Sequence, residues 1–245
     1  MRTILGAALA LAISSPQLPA GEEILRATHA KYGGKWFQTL TFVQKTTFGD
    51  GRVETWYESL QLPGRLRIDY APASGGRAIL FRNDSIYAYA AGTLQAPRPR
   101  VHPLLVMLYD LHTQAPEITI AKVKGLGFDL TRAHRTSWRG DSVVVVGALE
   151  GDTTSRQFWL DARRMVTVRL IDPTPQGRQD IHIGGYAAVG SWWHERDVKV
   201  YVNGTLALHE EYTDVRIDAP LEPSVFDPAS KHTAPRWVGE GAPRW

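Results

Sequence analysis

From Trp56 onward the chain alternates apolar and polar side chains. Trp56-Tyr57-Glu58-Ser59-Leu60-Gln61-Leu62 is broken by Pro63-Gly64, and Arg65-Leu66-Arg67-Ile68-Asp69-Tyr70 resumes the alternation. Period two around a proline-glycine break predicts a β-hairpin with one buried face. A two-residue loop would oppose Leu62 to Arg65. A three-residue loop over 63–65 aligns Leu62 with Leu66 and Leu60 with Ile68, and this apolar pairing favours the longer loop. Trp56, Leu60, Leu62, Leu66, Ile68 and Tyr70 then share an inner face, with Arg65, Arg67 and Asp69 directed to water.

The meander extends in both directions. Residues 36–48 are rich in β-branched and aromatic side chains and lead through Gly49-Asp50-Gly51 into the Trp56 strand. Residues 77–82 and 85–90 form another hairpin across Asn83-Asp84. In the second half, strands are predicted over 132–138, 143–146, 155–160, 166–171, 180–186, 194–202 and 206–217. Val143-Val144-Val145-Val146 is apolar on both faces, as suits a central strand. Asn203-Gly204 between alternating strands is the strongest hairpin signal in the chain. With Thr205 it also matches a glycosylation acceptor, but turn geometry accounts for it.

Three stretches carry a helical period instead. Glu22-Glu23 opens one with Ile24, Leu25, Thr28 and Tyr32 on one side, its acids at the positive end of the helix dipole, and Gly33-Gly34 stops it. Val101, Leu104, Leu105, Leu108 and Leu111 recur at three- and four-residue spacing, with Pro103 in the first turn and Asp110 opposite. Val106, Met107 and Tyr109 widen that apolar arc beyond the needs of a surface helix, which predicts contact with something besides the sheet. A third helix runs from Pro116 to the stop at Gly125-Leu126-Gly127, despite the β-branched Ile118, Ile120 and Val123. The chain is therefore mainly β within an α+β class. No linker divides residues 21–245, so one domain is expected, with 230–245 as a loosely held proline-rich tail.

Charge narrows the partners. The 245 residues carry 28 Lys and Arg against 25 Asp and Glu, a net +3. Both signs are interspersed along the strands, which argues against nucleic acid. Arg98-Pro99-Arg100, the densest basic patch, reads as a solvated loop. The absence of cysteine excludes disulfides, thiolate metal sites, thiol nucleophiles and a lipid-modified amino terminus. Met1-Arg2, an apolar run over 4–13 and the small-residue site Leu18-Pro19-Ala20 read as a signal peptide over 1–20, cut after Ala20. No later run approaches the ~18 apolar residues of a membrane span. A soluble, monomeric periplasmic protein is expected.

Catalytic patterns do not emerge. His194-Glu195 and His209-Glu210 lie on predicted strands, where neighbours point to opposite faces, so neither pair converges on one ion. No Gly-x-Ser-x-Gly elbow occurs, and Gly125-Leu126-Gly127 lacks the third glycine of a dinucleotide loop. The carboxylates are scattered, and the sequence pairs no two of them for acid-base work. Neither an enzyme nor a metal or cofactor is expected. What is left is a surplus of apolar and aromatic side chains on amphipathic strands, plus a very apolar central helix, the pattern of a container.

The order of the pieces is informative. A signal peptide and Glu22-Glu23-Ile24-Leu25 precede the meander with Pro63-Gly64-Arg65-Leu66-Arg67-Ile68-Asp69-Tyr70. Two central helices are followed by Phe158-Trp159-Leu160-Asp161 and Leu221-Glu222-Pro223-Ser224-Val225-Phe226-Asp227-Pro228. This arrangement resembles the outer-membrane lipoprotein carrier (LolA-like) superfamily and its lipoprotein-sorting relatives, over nearly the whole mature chain. The resemblance implies an incomplete, strongly curved antiparallel β-barrel with helices as a lid over a hydrophobic cavity for acyl chains of lipoprotein or lipid. In such a container Trp56, Leu60, Leu62, Leu66, Ile68 and Tyr70 form the wall, and Leu104, Leu105, Leu108 and Leu111 the lid. A carrier implies inner- and outer-membrane protein partners. The alternative is a periplasmic sensor that binds a membrane-protein partner.

Overall fold

The computed structural model describes residues 20–239. Alternation and turn chemistry build the first half as β1 (Thr39–Phe48), β2 (Val53–Gln61), β3 (Arg65–Tyr70), β4 (Ala78–Arg82), β5 (Ser85–Ala90) and the short β6 (Thr93–Leu94) and β7 (Arg98–Pro99). The second half supplies β8 (Ala133–Trp138), β9 (Asp141–Val146), β10 (Gln157–Asp161), β11 (Thr167–Thr174), β12 (Gly177–Gly184), β13 (Ala187–Val189), β14 (Trp192–His194), β15 (Asp197–Val202) and β16 (Thr205–Ile217). Among the described residues, 14 strands form one antiparallel sheet in the order β6-β5-β4-β3-β2-β1-β16-β15-β12-β11-β10-β9-β8, with β7 on β5. β16 returns to pair with β1 and so joins the two halves. The ends at β6 and β8 do not meet, which leaves an incomplete barrel. β13 and β14 make a separate two-stranded sheet.

Two-residue turns with both φ positive close three hairpins, at Asn83-Asp84, Arg139-Gly140 and Asn203-Gly204, the geometry whose twist matches paired strands. The β2–β3 turn differs from expectation. Gln61 pairs with Arg65 and Leu60 with Leu66, so the three-residue loop is Leu62-Pro63-Gly64, not 63–65. The left-handed position falls to Gly64 at φ 78°, where an arginine would be strained. The pairing slips by two residues, so every side chain keeps its face.

Helix α1 (Gly21–Tyr32) buries Ile24, Leu25, Thr28 and Tyr32. Its first residue must be small, since a Cβ at Gly21 would lie 2.7 Å from Val146 Cγ1. The central helix spans 103–113, two residues later than the Val101 start expected. Its middle, Leu105–Asp110, is π-helical, with the Leu111 N–H bonded to the Val106 carbonyl five residues back, and it continues as α2 (Leu111–Thr113). All eight residues from Leu105 to His112 are buried, so the segment has no wet face. Asp110, expected on a polar face, is fully buried and accepts a hydrogen bond from the Gly64 N–H at 2.8 Å. Burial pushes its carboxyl up to about 6. That bond fastens the helix to the β2–β3 turn. Helix α3 (Pro116–Gly125) follows, and among the described residues no helix is long and apolar enough to cross a membrane.

The outward assignment of Arg67 and Asp69 is corrected by the fold. Both are buried. Arg67 donates from Nε and Nη2 to the two Asp69 oxygens at 2.8 and 2.9 Å, and to the carbonyls of Val225 and Thr233 at 3.1 and 2.9 Å. Residues 223–239, expected in part to be a loose tail, strap the outer face of β1–β5. Val225 and Phe226 pack on Ala78, Leu80 and Tyr89, and Trp237 and Val238 pack on Val43 and Tyr57. Trp237 Nε1 donates to Ser59 Oγ at 3.0 Å. The remaining tail residues, 240–245, and the expected signal peptide up to residue 19 lie outside the described residues.

Candidate functional site

The site lies where the inner face of β1, β2, β3 and β16 meets the central helix. Phe42, Gln44, Trp56, Glu58, Leu66, Ile68, Glu210 and Tyr212 from the strands, and His102, Leu104, Leu105, Leu108 and Tyr109 from the helical side, line a cavity of about 80 Å³. Of the residues the sequence nominated, Trp56, Leu66, Ile68, Leu104, Leu105 and Leu108 come together here. Leu60, Leu62 and Leu111 are buried in the adjoining core, and Tyr70 packs edge-on against Trp56 at 5.1 Å.

Sequence reasoning missed the polar part. Glu58 lies between Phe42 on β1 and Ile68 on β3, in register with both. Its even number places it on the face of Trp56 and Leu60, the one signal that could have found it. Glu210 faces inward from β16 and accepts from the Tyr212 hydroxyl at 2.6 Å. The strand expected over 194–202 breaks between β14 and β15, and Glu195 in that break turns inward to accept the Tyr109 hydroxyl. His209 points the other way and meets Asp197 at 2.6 Å. The scattered carboxylates are thus three neighbours inside the barrel.

Their electrostatics follow from burial. Loss of water raises Glu195 and Glu210 to about 7, while the tyrosine hydroxyls pull each back down. Glu58 is held well above the usual carboxylate range by burial first, then by Glu210 and Glu195. Burial also lowers His102 to about 4 and His194 to about 3, so both imidazoles are neutral at pH 7. Neutral groups are the ones a low-dielectric interior tolerates. Among the described residues no three His, Asp or Glu side chains are placed to hold a metal ion. Chemically the site is an apolar slot with carboxyls on one side.

No family model matches the sequence, and no curated protein matches it. Solved structures do. A domain described as outer membrane lipoprotein-sorting, from Vibrio parahaemolyticus, superposes with a TM-score of 0.56 at 13% identity, over 84% of this chain and 96% of its own. A DUF1329 family protein from Desulfovibrio piger gives 0.53 at 13% identity, over 84% and 95%. A LolA superfamily protein from Nitrosomonas europaea gives 0.51 at 11% identity, over 86% and 98%. With the open 14-stranded sheet and its enclosed helices, these likenesses establish that the chain has the LolA-like fold of lipoprotein-sorting proteins.

Proposed function

We propose that the protein is a periplasmic carrier that holds acyl chains of lipid or lipoprotein between the inner face of the sheet and the central helix. The observation that carries this reading is that Leu104, Leu105 and Leu108 share the lining of one cavity with Trp56, Leu66 and Ile68. The helix occupies the space a chain would take. About 80 Å³ is well below the roughly 300–1,000 Å³ of a ligand pocket, so a chain enters only as the helix withdraws. Burying ~14 methylenes gains on the order of 10 kcal/mol gross. Exposing three leucines costs roughly 5–9 kcal/mol. The two nearly cancel, which suits a carrier that must also let go.

The test is Leu108→Glu and Leu105→Glu, followed by displacement of a fluorescent neutral acyl probe alongside thermal unfolding. A lid predicts that binding is lost in variants that still unfold cooperatively near the wild-type midpoint. Strong destabilisation with binding intact in the folded remainder would make the segment a core helix and end the lid reading. Export belongs to the same proposal. A cut after Ala20 leaves α1, which begins at Gly21, whole. Intact mass of the exported protein is expected to correspond to residues 21–245, and a retained leader would contradict a free carrier.

A further inference from the structure

Carboxyls have no place in a container built only for hydrocarbon, because each buried polar group must be matched or it destabilises the fold. Glu195 and Glu210 are matched by Tyr109 and Tyr212. Glu58 is not. It is only 7% exposed, lies on the cavity wall, and forms no hydrogen bond or ion pair with another described residue. A second buried group nearby is also unsatisfied. His194 is 0% exposed, both its ring nitrogens lack partners, and its ring stacks on Tyr212 of the cavity wall with centroids 6.0 Å apart. Its Nδ1 is 3.6 Å from Glu195 Oε2. The groups around Glu58 are Glu210 from β16, Glu195 from the β14–β15 break, Tyr70 from β3, and Tyr109 and His102 on the helical side. None is a cation at pH 7. The partner that this wall lacks is a hydrogen-bond donor carrying positive charge.

Resting on the acyl-binding reading above, we propose that the cavity takes chains whose polar end is an ammonium, seated on Glu58, and discriminates against chains that end in a carboxylate. The protonation balance is explicit. Empty, Glu58 holds its proton because of burial and the two neighbouring acids. An ammonium stabilises the ionised form, so Glu58-COOH and R-NH3+ become Glu58-COO− paired with R-NH3+, and one proton leaves to solvent. A carboxylate head meets the reverse: it is a further acid in the same low-dielectric pocket and must take up a proton to enter. An alcohol donates one hydrogen bond without charge and stands between them.

The experiment is isothermal titration calorimetry of the purified full chain with dodecylamine, dodecanol and dodecanoate below their micelle concentrations. It is run at pH 7 in two buffers of different ionisation heat, for wild type and Glu58→Gln. Wild type is expected to bind the amine roughly tenfold to a hundredfold more tightly than dodecanoate, the scale of a hydrogen bond to a charged group. Amine binding is expected to release about one proton. Glu58→Gln removes the amine's advantage and the proton release, while dodecanol affinity changes little. Equal binding of amine and dodecanoate, or a preference that survives Glu58→Gln, overturns the proposal and leaves the container standing. Failure of all three ligands overturns both. Should Glu58→Gln not fold, the wild-type order and proton count decide.

Discussion

Arg67→Ala is expected to lower stability by about 3–5 kcal/mol, the cost of leaving one partner of a buried ion pair behind. The side chains of Arg67 and Asp69 are 6% and 2% exposed. Removing the guanidinium strands the Asp69 carboxylate and also takes the donors from the Val225 and Thr233 carbonyls of the strap. The loss has a second readout, because residues 223–239 should then be clipped by protease under conditions that leave wild type intact. Arg77→Ala is the control. Arg77 pairs with Glu54 at 2.8 Å but is 53% exposed, and such a pair is worth roughly 0–1 kcal/mol. Equal urea midpoints for the two variants would show that Arg67 does not anchor the strap.

Glu210→Gln is expected to change the pH dependence of stability. The carboxyl rises from an ordinary 4.5 to about 7 on folding. A raised folded value means that its favourable contribution is complete below 4.5 and disappears as pH climbs through 7. That rise corresponds to on the order of 3 kcal/mol. The amide has no proton to lose and can still accept from Tyr212. Variant and wild type should therefore unfold alike near pH 4.5, and the variant should be more stable by up to that amount at pH 8. His102, His112 and His194, lowered to about 4, 4 and 3 by burial, act in the opposite sense. They lose stability as pH falls below 6.5 and so flatten the wild-type curve, which is why the difference between the two proteins is the quantity to measure. A difference constant from pH 4.5 to 8 would rule out titration of Glu210 in this range.

The inner wall was legible because it follows period two: Trp56, Leu60, Leu66 and Ile68 hold their faces even though the pairing slipped by two residues. Glu58 obeyed the same parity and was overlooked, since a carboxylate on a strand reads as a wet residue and only tertiary packing makes it dry. The strap was illegible for another reason. Val225, Phe226, Trp237 and Val238 are separated by prolines and polar residues and show no period. Their partners on β1, β2, β4 and β5 lie well over a hundred residues away. Hence Arg67 and Asp69, flawless surface residues by alternation, are interior. The central helix stood between these cases: Val106, Met107 and Tyr109 signalled contacts beyond the sheet, but an α-helical period could not announce a wider coil.

That wider coil has a consequence for how the gene can vary. In an α-helix each residue advances about 100° around the axis, and the i to i+5 spacing through Leu105–Asp110 takes up extra chain that an α-helical path would not need. Deleting one residue there would let the segment relax to ordinary α-geometry while swinging Leu111 and His112 about a quarter turn out of their seats. An insertion would overfill the same space. Length through these six positions should therefore be as constrained as composition, and aliphatic exchanges such as Leu105→Met should be tolerated where a one-codon deletion is not.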